Sequence, residues 1–348
     1  MDYSPGLRGV VAGETAISTV GREGTSLRYR GYDAIELTKS KSYEEVASLI
    51  IANDFSSEEF KFSYKSHFKS IKENEFLNFV LNKIKTHQHP MDVLKVITSL
   101  VGEPLSSSQI DATAQLIAVS GYVISSYHSA PSFEIHDKYV VASSLLPDSS
   151  SEEKIEALDD MLILYAEHGF NASTFATRVT ASTRSDLTSS ILSGIGTLKG
   201  ELHGGANEKA VEMICNYKDT DEASSGVLEM LEKKQKIMGF GHGVYKIKDP
   251  RSAVVKSWVE KLSVDKESKN RFNIAQKIDS IMTEKKNLFP NVDFYGGLML
   301  YELGFEIKLF TPIFVTGRTA GWAAHYFEQR EQDVLIRPAA RYIGPAER

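Results

Sequence analysis

The sequence predicts a mainly α-helical protein, and three observations support this prediction. Apolar residues recur at helical spacing in most segments, as at Ile155, Leu158 and Leu162. Strand patterns are few and short. The chain has no internal repeat, low-complexity tract or heptad array. Its 348 residues and 42% hydrophobic content allow one large domain or two smaller ones.

Local patterns predict the elements of the N-terminal half. Residues 1–33 are rich in Gly, Arg and Thr, which indicates short hairpin-like or extended pieces. A helix is expected to begin near Ser42, an N-cap residue type with Glu45 three positions later. Further helices are expected over 54–89 (with Phe76, Phe79, Val80 and Ile84 at helical spacing), 91–100, 110–127 and 151–167, and a serine-rich loop with a short helix over 128–151.

The C-terminal half continues the helical pattern. Residues 172–198 are small and apolar, a composition that lets helices pack closely. Ile307–Phe310 is ambiguous between strand and helix. Further helices are expected over 208–215, 227–236, 254–262, 272–282, 295–303 and 319–332.

Composition and charge exclude several functional classes. The net charge of −6 and a pI near 5.9 argue against a nucleic-acid or anionic-membrane partner, so an anionic ligand needs a few local arginines. No apolar run approaches the length of a membrane span, and the N-terminal segment shows no signal peptide pattern. Cys215 is the single cysteine, so we expect no internal disulfide, a reducing cytoplasmic setting and a buried apolar thiol.

The segment 238–251 carries the strongest chemical signal in the chain. It frames one histidine with three glycines and follows it with two cations: His242, Gly239, Gly241, Gly243, Lys246 and Arg251. Glycines let the backbone approach a ligand closely, and the cations supply one side of an anion site. The segment therefore predicts an acid–base histidine that acts on an acidic small molecule.

Two further histidines, His168 and His203, lie at junctions between helices and glycine-containing loops. A single histidine in this setting more often has a structural role, but three histidines in the same setting favour a catalytic or ligand-binding site. His203 precedes the helix expected at 208–215, and the dipole at a helix N-terminus disfavours imidazolium. A neutral histidine there could donate a hydrogen bond to a developing enolate.

Acidic and basic residues complete the predicted constellation. Asp293 is either the N-cap of the following helix or a carboxylate base whose apolar neighbours raise its pKa. Arg251, Arg318 and Arg337 lie in otherwise apolar or small segments, and three guanidinium groups would suit a dicarboxylate. Dinucleotide-binding, P-loop, H-E-x-x-H and C-x-x-C motifs are absent from the sequence.

These segments together resemble the citrate synthase family, in its short bacterial and archaeal form. The similarity runs from about residue 7 to the C-terminus, and six ordered motifs carry it: EHGFNAST, LHGGANE, GFGHGVYKIKDPR, NVDFYGG, TGRTAGW and LIRPAARYIGP. The resemblance implies a large helical domain (1–206 and 305–348) and a smaller one (207–304) that closes over the active site. It also implies a homodimer and a place in the tricarboxylic acid cycle.

Carried over position by position, the resemblance assigns roles to three catalytic residues. Asp293 would take a proton from the methyl group of acetyl-CoA, and His203 would stabilise the enol or enolate. His242 would hydrogen-bond and protonate the ketone of oxaloacetate, and citryl-CoA would then be hydrolysed to citrate and CoA. No metal and no permanent cofactor are expected, because acetyl-CoA is a co-substrate.

The resemblance also implies two binding sets. The residues expected to hold oxaloacetate are His168, His242, Arg251, Arg318 and, from the other subunit, Arg337. Those expected to contact CoA are Gly239, Phe240, Gly241, Gly243 and Lys246. Two departures from the family pattern are Gly243, where an arginine is common, and Glu201, where a proline is common. We expect Glu201 to lie near His203 and to raise its basicity.

Three other functions remain open at this stage. A 2-methylcitrate synthase would use propionyl-CoA, and the extra methyl group is worth only about 1–3 kcal/mol in a pocket. A metal-dependent hydrolase would use the three histidines and Asp293 as ligands. A non-catalytic relative would bind acyl-CoA or oxaloacetate without turnover.

Overall fold

The computed structural model describes residues 4–7, 9–21, 26–128, 135–147 and 149–345. The mainly helical prediction is confirmed, because this part of the chain forms sixteen α-helices and only one small sheet. None of the helices in the described ranges has the length and apolarity to cross a lipid bilayer. The helices are α1 (Ala34–Thr38), α2 (Tyr43–Ala52), α3 (Glu58–Glu73), α4 (Glu75–Ile84), α5 (Pro90–Val101), α6 (Gln109–Ser125), α7 (Val140–Leu145), α8 (Glu152–Tyr165), α9 (Ala172–Ser182), α10 (Leu187–Leu198), α11 (Ala206–Cys215), α12 (Thr220–Glu232), α13 (Pro250–Leu262), α14 (Lys266–Lys286), α15 (Val292–Glu302) and α16 (Phe310–Gln332).

The expected N-terminal hairpin pieces form a three-stranded antiparallel sheet. Its strands are β1 (Ser18–Val20), β2 (Leu27–Tyr29) and β3 (Tyr32–Asp33), in that order. Tyr29 is fully buried, and its hydroxyl donates a 3.0 Å hydrogen bond to the carbonyl of Ile163. This bond fixes the sheet against α8, close to the residues that follow that helix.

The predicted start of α2 at Ser42 is confirmed as a capping box. The Ser42 side chain accepts from the backbone N–H of Glu45, and the Glu45 carboxylate accepts from the backbone N–H of Ser42 at 2.9 Å. Two N–H groups that the helix itself cannot satisfy thereby gain partners.

The helix α16 runs through the centre of the larger group of helices. It packs against α2, α6, α8, α9 and α10, and every residue from Phe310 to His325 is buried. A Cβ on Gly321 would lie 2.3 Å from the carbonyl oxygen of Ala166, so only glycine permits this approach to the end of α8. The close contact places the middle of α16 beside the residues that follow α8.

A second group of helices surrounds α15. The helices α11 and α13 both pack against it, and α14 packs against α12. The indole of Trp258 on α13 donates a 2.6 Å hydrogen bond to Asp160 on α8, which joins the two groups. The second group, α11–α15, occupies the range expected for a smaller domain, whose boundaries stay a prediction.

One prediction about burial, that of Cys215, is wrong, and the helical spacing over 54–89 did not show which face of α4 is buried. Phe76 and Phe79 are 60% and 61% exposed, because α4 buries Leu77 and Leu81 instead. Apolar residues occupy several faces of this short surface helix, so spacing alone did not identify the buried one. Cys215 is exposed, because it is the last residue of α11 and its side chain lies outside the packed face.

Several element boundaries also differ from the predictions. Ile307–Leu309 forms a 3₁₀ turn rather than a strand, and α16 begins directly after it, with Pro312 tolerated in the first turn. Four other helices, α12, α13, α14 and α15, begin three to seven residues before their expected starts. The start of α15 matters most, because it places Asp293 in the first helical turn and makes Asn291 the N-cap. Part of the loop predicted over 128–151 lies outside the described residues.

The capping box at Ser42 gives a stability prediction. Ser42→Ala should lower the free energy of unfolding by about 0.5–2 kcal/mol, measured by urea denaturation, because an N–H group of α2 loses its acceptor. Ser57→Ala is the matched control, since Ser57 precedes α3 without a capping hydrogen bond. Equal losses in the two variants would contradict this account of α2.

Candidate active site

A cavity of about 390 Å³ gathers most of the predicted site residues. Those that line it are His168, His203, His242, Gly243, Arg251, Asp293 and Arg318. They come from the turn after α8, the segment before α11, the starts of α13 and α15, and the middle of α16. Residues separated by up to 150 positions therefore meet at one polar cavity.

The glycine-rich loop is held in place by the segment that precedes Asp293. The N–H of Gly241 donates to the carbonyl of Phe289 at 2.8 Å, and the N–H of Asn291 donates to the carbonyl of Gly239 at 2.9 Å. Gly239 has a φ of 84°, and a Cβ there would lie 2.7 Å from Phe294. Only glycine fits this position, and the pairing fixes the histidine loop relative to α15.

His242 is a neutral donor in this loop. Its Nδ1 accepts hydrogen bonds from the backbone N–H groups of Val244 (3.0 Å) and Tyr245 (3.1 Å), so the proton resides on Nε2. Burial lowers the pKa of His242 to about 4, and Arg251 acts in the same direction. The free Nε2–H can therefore donate to a ligand near neutral pH.

His203 has the opposite tautomer. Its Nε2 accepts from the backbone N–H of Ser173 at 3.3 Å, and the Ser173 hydroxyl lies 2.8 Å away, so Nδ1 carries the proton. Burial lowers the pKa of His203 to about 4, with a further contribution from Arg318. His203 thus contacts the first turn of α9, in addition to its position two residues before Gly205, the N-cap of α11.

His168 lies between the loop and a buried charged network. Its ring is 5.2 Å from that of His242, and its Nε2 is 3.1 Å from the Tyr245 hydroxyl. Burial lowers the pKa of His168 well below its ordinary value, and Arg251 and Arg318 add to this effect. All three histidines are therefore neutral at pH 7.

The network beneath His168 is centred on the buried carboxylate of Glu167. It accepts hydrogen bonds from the N–H of Gly169 (2.6 Å), the hydroxyl of Ser18 (2.9 Å) and the imidazole of His325 (2.9 Å). Farther along α16, Glu328 accepts from Arg178 and from the backbone N–H of Ala16 at 2.8 Å. The turn that carries His168 is thus tied to β1 and to α16.

Arg251 is held by Asp249, a residue that the sequence did not single out. The Asp249 carboxylate accepts from Arg251 Nε (3.0 Å) and Nη2 (2.8 Å), and it caps α13 through the Arg251 N–H. It also accepts from the N–H of Val292 at 3.0 Å, at the start of α15. Burial disfavours the Arg251 cation, but Asp249 raises the pKa of Arg251 above its ordinary value. The sequence did contain a signal for Asp249. It precedes a proline at the first position of a helix, and Asp is a common N-cap residue at that place.

Arg318 is a buried cation without an acidic partner in the described structure. It is 1% exposed, and its one hydrogen bond there runs from Nε to the carbonyl of Tyr165 at 2.6 Å. Burial lowers the pKa of Arg318 to about 10, so it remains charged at neutral pH. Glu167 and Asp293 act on Arg318 only through space, without a direct ion pair in the described structure, so its charge beside the cavity favours an anionic ligand.

Asp293 is positioned as a base. It lies in the first turn of α15, where Asn291 accepts its backbone N–H at 3.0 Å, so the alternative N-cap role is wrong. Burial raises the pKa of the Asp293 carboxyl to about 6, Arg251 and Arg318 limit the rise, and Asp249 adds to it. A carboxylate with this pKa is a stronger base than an exposed aspartate and is still largely ionised at pH 7.

Some predicted site residues do not meet at the cavity. Arg337 lies in an exposed segment after α16, and Lys246 is exposed at the rim, with its Nζ 3.4 Å from the carbonyl of Gly243. Glu201 is also exposed and pairs with Lys209, so the structure gives no support to its expected effect on His203. A Cβ on Gly243 would meet no atom within 4 Å, which leaves open space beside His242.

The metal-site alternative finds no ligand set in the part of the chain that the structure describes. No group of three or more His, Cys, Asp or Glu side chains converges there in a way that could hold an ion. One ring nitrogen of each of the three histidines also makes another contact, as described above. The cavity is therefore better suited to an anionic organic ligand.

Comparison with known proteins agrees with this interpretation. The family model described as "Citrate synthase, C-terminal domain" matches residues 6–339. The 2-methylcitrate synthase of Shewanella oneidensis is 40% identical over 99% of this chain and 95% of the relative. Citrate synthase 2 of Bacillus subtilis is 36% identical over 99% of this chain and 97% of the relative.

Solved structures show the same similarity. The citrate synthase of Thermotoga maritima superimposes with a TM-score of 0.85 at 32% identity, covering 98% of this chain and 96% of that one. A citrate synthase from Thermoplasma acidophilum, in a ternary complex with carboxymethyl coenzyme A and oxaloacetate, gives a TM-score of 0.90 at 29% identity. That alignment covers 100% of this chain and 97% of the other.

Proposed function

The chain belongs to the citrate synthase family, and from this premise we propose that it condenses acetyl-CoA with oxaloacetate to form citrate and CoA. The observation that carries the proposal is the meeting of a buried base, Asp293, with two neutral histidine donors at one cavity. Abstracting a proton from a thioester methyl group needs both a base and a donor to the developing enolate.

The proposed chemistry divides between the three side chains. Asp293 removes a proton from the methyl group of acetyl-CoA, and the Nδ1–H of His203 donates to the thioester oxygen as the enolate develops. The enol carbon attacks the ketone of oxaloacetate, and the Nε2–H of His242 protonates the oxygen. Water then hydrolyses citryl-CoA. Neutral histidines suit these steps, because they donate without adding a full charge to the ground state.

Oxaloacetate would bind at the cationic side of the cavity. Arg318 has free guanidinium nitrogens there, and Arg251 is held in a fixed orientation by Asp249. His168 and His242 would complete the contacts around the ketone. In the Thermoplasma acidophilum relative, whose structure contains oxaloacetate and a CoA analogue, the same fold binds both compounds.

The remaining contacts need CoA, domain closure and a second subunit. We propose that Gly239, Phe240, Gly241, Gly243 and Lys246 line the CoA channel. Residues 207–304 would act as a small domain that closes on the large domain, 1–206 and 305–348, and excludes water. The exposed position of Arg337 suits a role in the active site of the partner subunit in a homodimer.

A second candidate is 2-methylcitrate synthesis from propionyl-CoA. The observation that favours it is the 40% identity to the Shewanella oneidensis 2-methylcitrate synthase, against 36% for the Bacillus subtilis citrate synthase 2. The same base and donors would serve both thioesters, since the reacting carbon differs by one methyl group.

The two donors can be separated by steady-state kinetics. We expect the purified protein to release CoA thiol from acetyl-CoA in the presence of oxaloacetate, with a kcat/KM above that for propionyl-CoA. One methyl group should separate the donors by about 10–200-fold. A reversed ratio would assign the protein to 2-methylcitrate synthesis, and no thiol release with either donor would refute the proposed function.

The raised pKa of Asp293 predicts the pH dependence and the effect of its removal. The base must be ionised, so kcat/KM should fall as pH decreases through about 6, the pKa of Asp293. Asp293→Ala should lower kcat by about 10²–10⁴-fold with little change in oxaloacetate affinity. Asp265→Ala, which removes the exposed N-cap of α14, is the control and should retain activity. Near-normal turnover by Asp293→Ala would exclude the proposed base.

The role of Arg337 can be tested by mixing two inactive variants. In a dimer that contains one Asp293→Ala and one Arg337→Ala subunit, one of the two sites has an intact base and receives an intact arginine from its partner. Random reassociation should therefore restore about a quarter of wild-type activity. If Arg337 acts within its own chain, the mixture will stay inactive.

A further inference from the structure

Two buried hydrogen-bond donors lie behind the helix that carries Asp293, and the mechanism above does not use them. The hydroxyl of Tyr165 and the side-chain nitrogen of Asn207 are both inaccessible. Neither makes a well-formed hydrogen bond to a described residue, although the two side chains lie close enough to interact with each other. A buried donor that gives up its bonds to water without replacement costs folding free energy. Such groups are rare, so two of them beside an active site need a functional explanation.

Both donors lie against the face of α15 that contains Asp293. Positions 293, 296 and 297 share a helix face because they are three and four residues apart. A Cβ on Gly296 would lie 3.2 Å from the Tyr165 hydroxyl, and one on Gly297 would lie 2.4 Å from the carbonyl oxygen of Asn207. The two glycines therefore let α15 rest directly on Tyr165 and Asn207.

Tyr165 is held as a neutral donor. Its ring centroid is 4.2 Å from that of Phe314, which itself lines the cavity. Burial raises the pKa of Tyr165 far above its ordinary value, and Asp293 contributes most among the nearby charges, while the Asn207 amide opposes the rise. The Asp293 carboxyl is thus close enough to act on Tyr165 through space, although no hydrogen bond joins them in this conformation.

Asn207 is fixed in the same place by a different contact. Its Oδ1 accepts the backbone N–H of Glu208 at 2.8 Å, which commits the oxygen and leaves the side-chain nitrogen as a free donor. Asn207 lies in the first turn of α11 and packs on α15, and it is four residues after His203. Asn207 therefore connects the segment that contains His203 with α15, the helix that carries Asp293.

We infer that Tyr165 and Asn207 are positioning residues for Asp293, an inference that rests on the proposed function. In the conformation of the structure, neither donor makes a hydrogen bond to the Asp293 carboxylate. When the helices around α15 close on the rest of the protein, α15 shifts over Tyr165 and the carboxylate of Asp293 becomes the acceptor. Hydrogen bonds to the ionised carboxylate fix its orientation and stabilise the base in the closed complex alone.

The other charged groups around Asp293 would not obscure this effect. Arg251 and Asp249 at the start of α13, and Arg318 on α16, keep their charges through the neutral range. His203 and the nearby His242 are neutral there, since the pKa of each is about 4. A change in the acidic limb of the rate profile can therefore be assigned to Asp293.

Tyr165→Phe removes only the hydroxyl and is the primary test. We expect kcat to fall about ten-fold, and the acidic limb of the kcat profile to move to higher pH, because the ionised base in the complex loses a donor. The midpoint of the kcat/KM profile, which reports the free enzyme, should stay in place. The Tm should be unchanged or higher, because the hydroxyl has no partner to lose.

Tyr64→Phe is the matched control. Tyr64 is equally buried, and its hydroxyl makes a 2.6 Å hydrogen bond to Ser144, away from the cavity. This variant should lose thermal stability and keep the wild-type pH profile. Asn207→Ala is the second variant, because it removes the amide donor without adding a charge beside Asp293. It should move the kcat limb in the same direction as Tyr165→Phe.

The outcomes distinguish this inference from the function on which it rests. The inference would be overturned if Tyr165→Phe kept the wild-type kcat and the wild-type acidic limb of the kcat profile. It would also be overturned if the variant lost thermal stability while the acidic limb stayed in place. If Tyr165→Phe does not fold, an acidic limb of the kcat profile that stays in place in Asn207→Ala would overturn the inference. A wild-type protein that turns over neither acyl-CoA would instead refute the proposed function, without reference to either variant.

Discussion

The buried ion pair between Asp249 and Arg251 is the interaction on which the site depends most. One carboxylate fixes the guanidinium, caps α13 and accepts the N–H of Val292 at the start of α15. Removing one partner of a buried pair typically costs about 3–5 kcal/mol, because the other charge stays buried alone. Arg251 and the start of α15, which carries Asp293, are therefore positioned by a single side chain, so neither can be displaced without the other.

The cavity separates the tasks of binding charge and moving protons. Arg251 and Arg318 supply permanent positive charge in a chain whose net charge is −6. That same charge, together with burial, keeps the three histidines neutral and limits the rise in the pKa of Asp293. The permanent charges of the two arginines therefore set the pKa values of the histidines and of Asp293, which is a common arrangement in active sites.

Much of the fold and most of the cavity could be predicted from the sequence. Helical spacing located most helices, and the glycine-framed motif identified His242 with its neighbouring cations. Asp249 was missed because its role depends on reaching α15, a contact between distant segments. Tyr165 and Asn207 carry no local signal, since their environment exists only after α8, α11 and α15 have packed. The exposed Phe76 and Phe79 show a further limit, because a short helix with apolar residues on several faces does not indicate which face is buried.

The tie between β1 and α16 has a consequence for the order in which the protein can fold. Ala16 binds Glu328 across 312 positions of sequence, and Ser18 binds Glu167, which in turn contacts His325. During synthesis the N-terminal strand leaves the ribosome long before these partners exist. The strand therefore cannot dock fully until α16 has been made, and the turn of His168 gains its final support only at that point. Because such distant contacts slow folding, the side of the cavity that contains His168 is expected to form among the last parts of the chain.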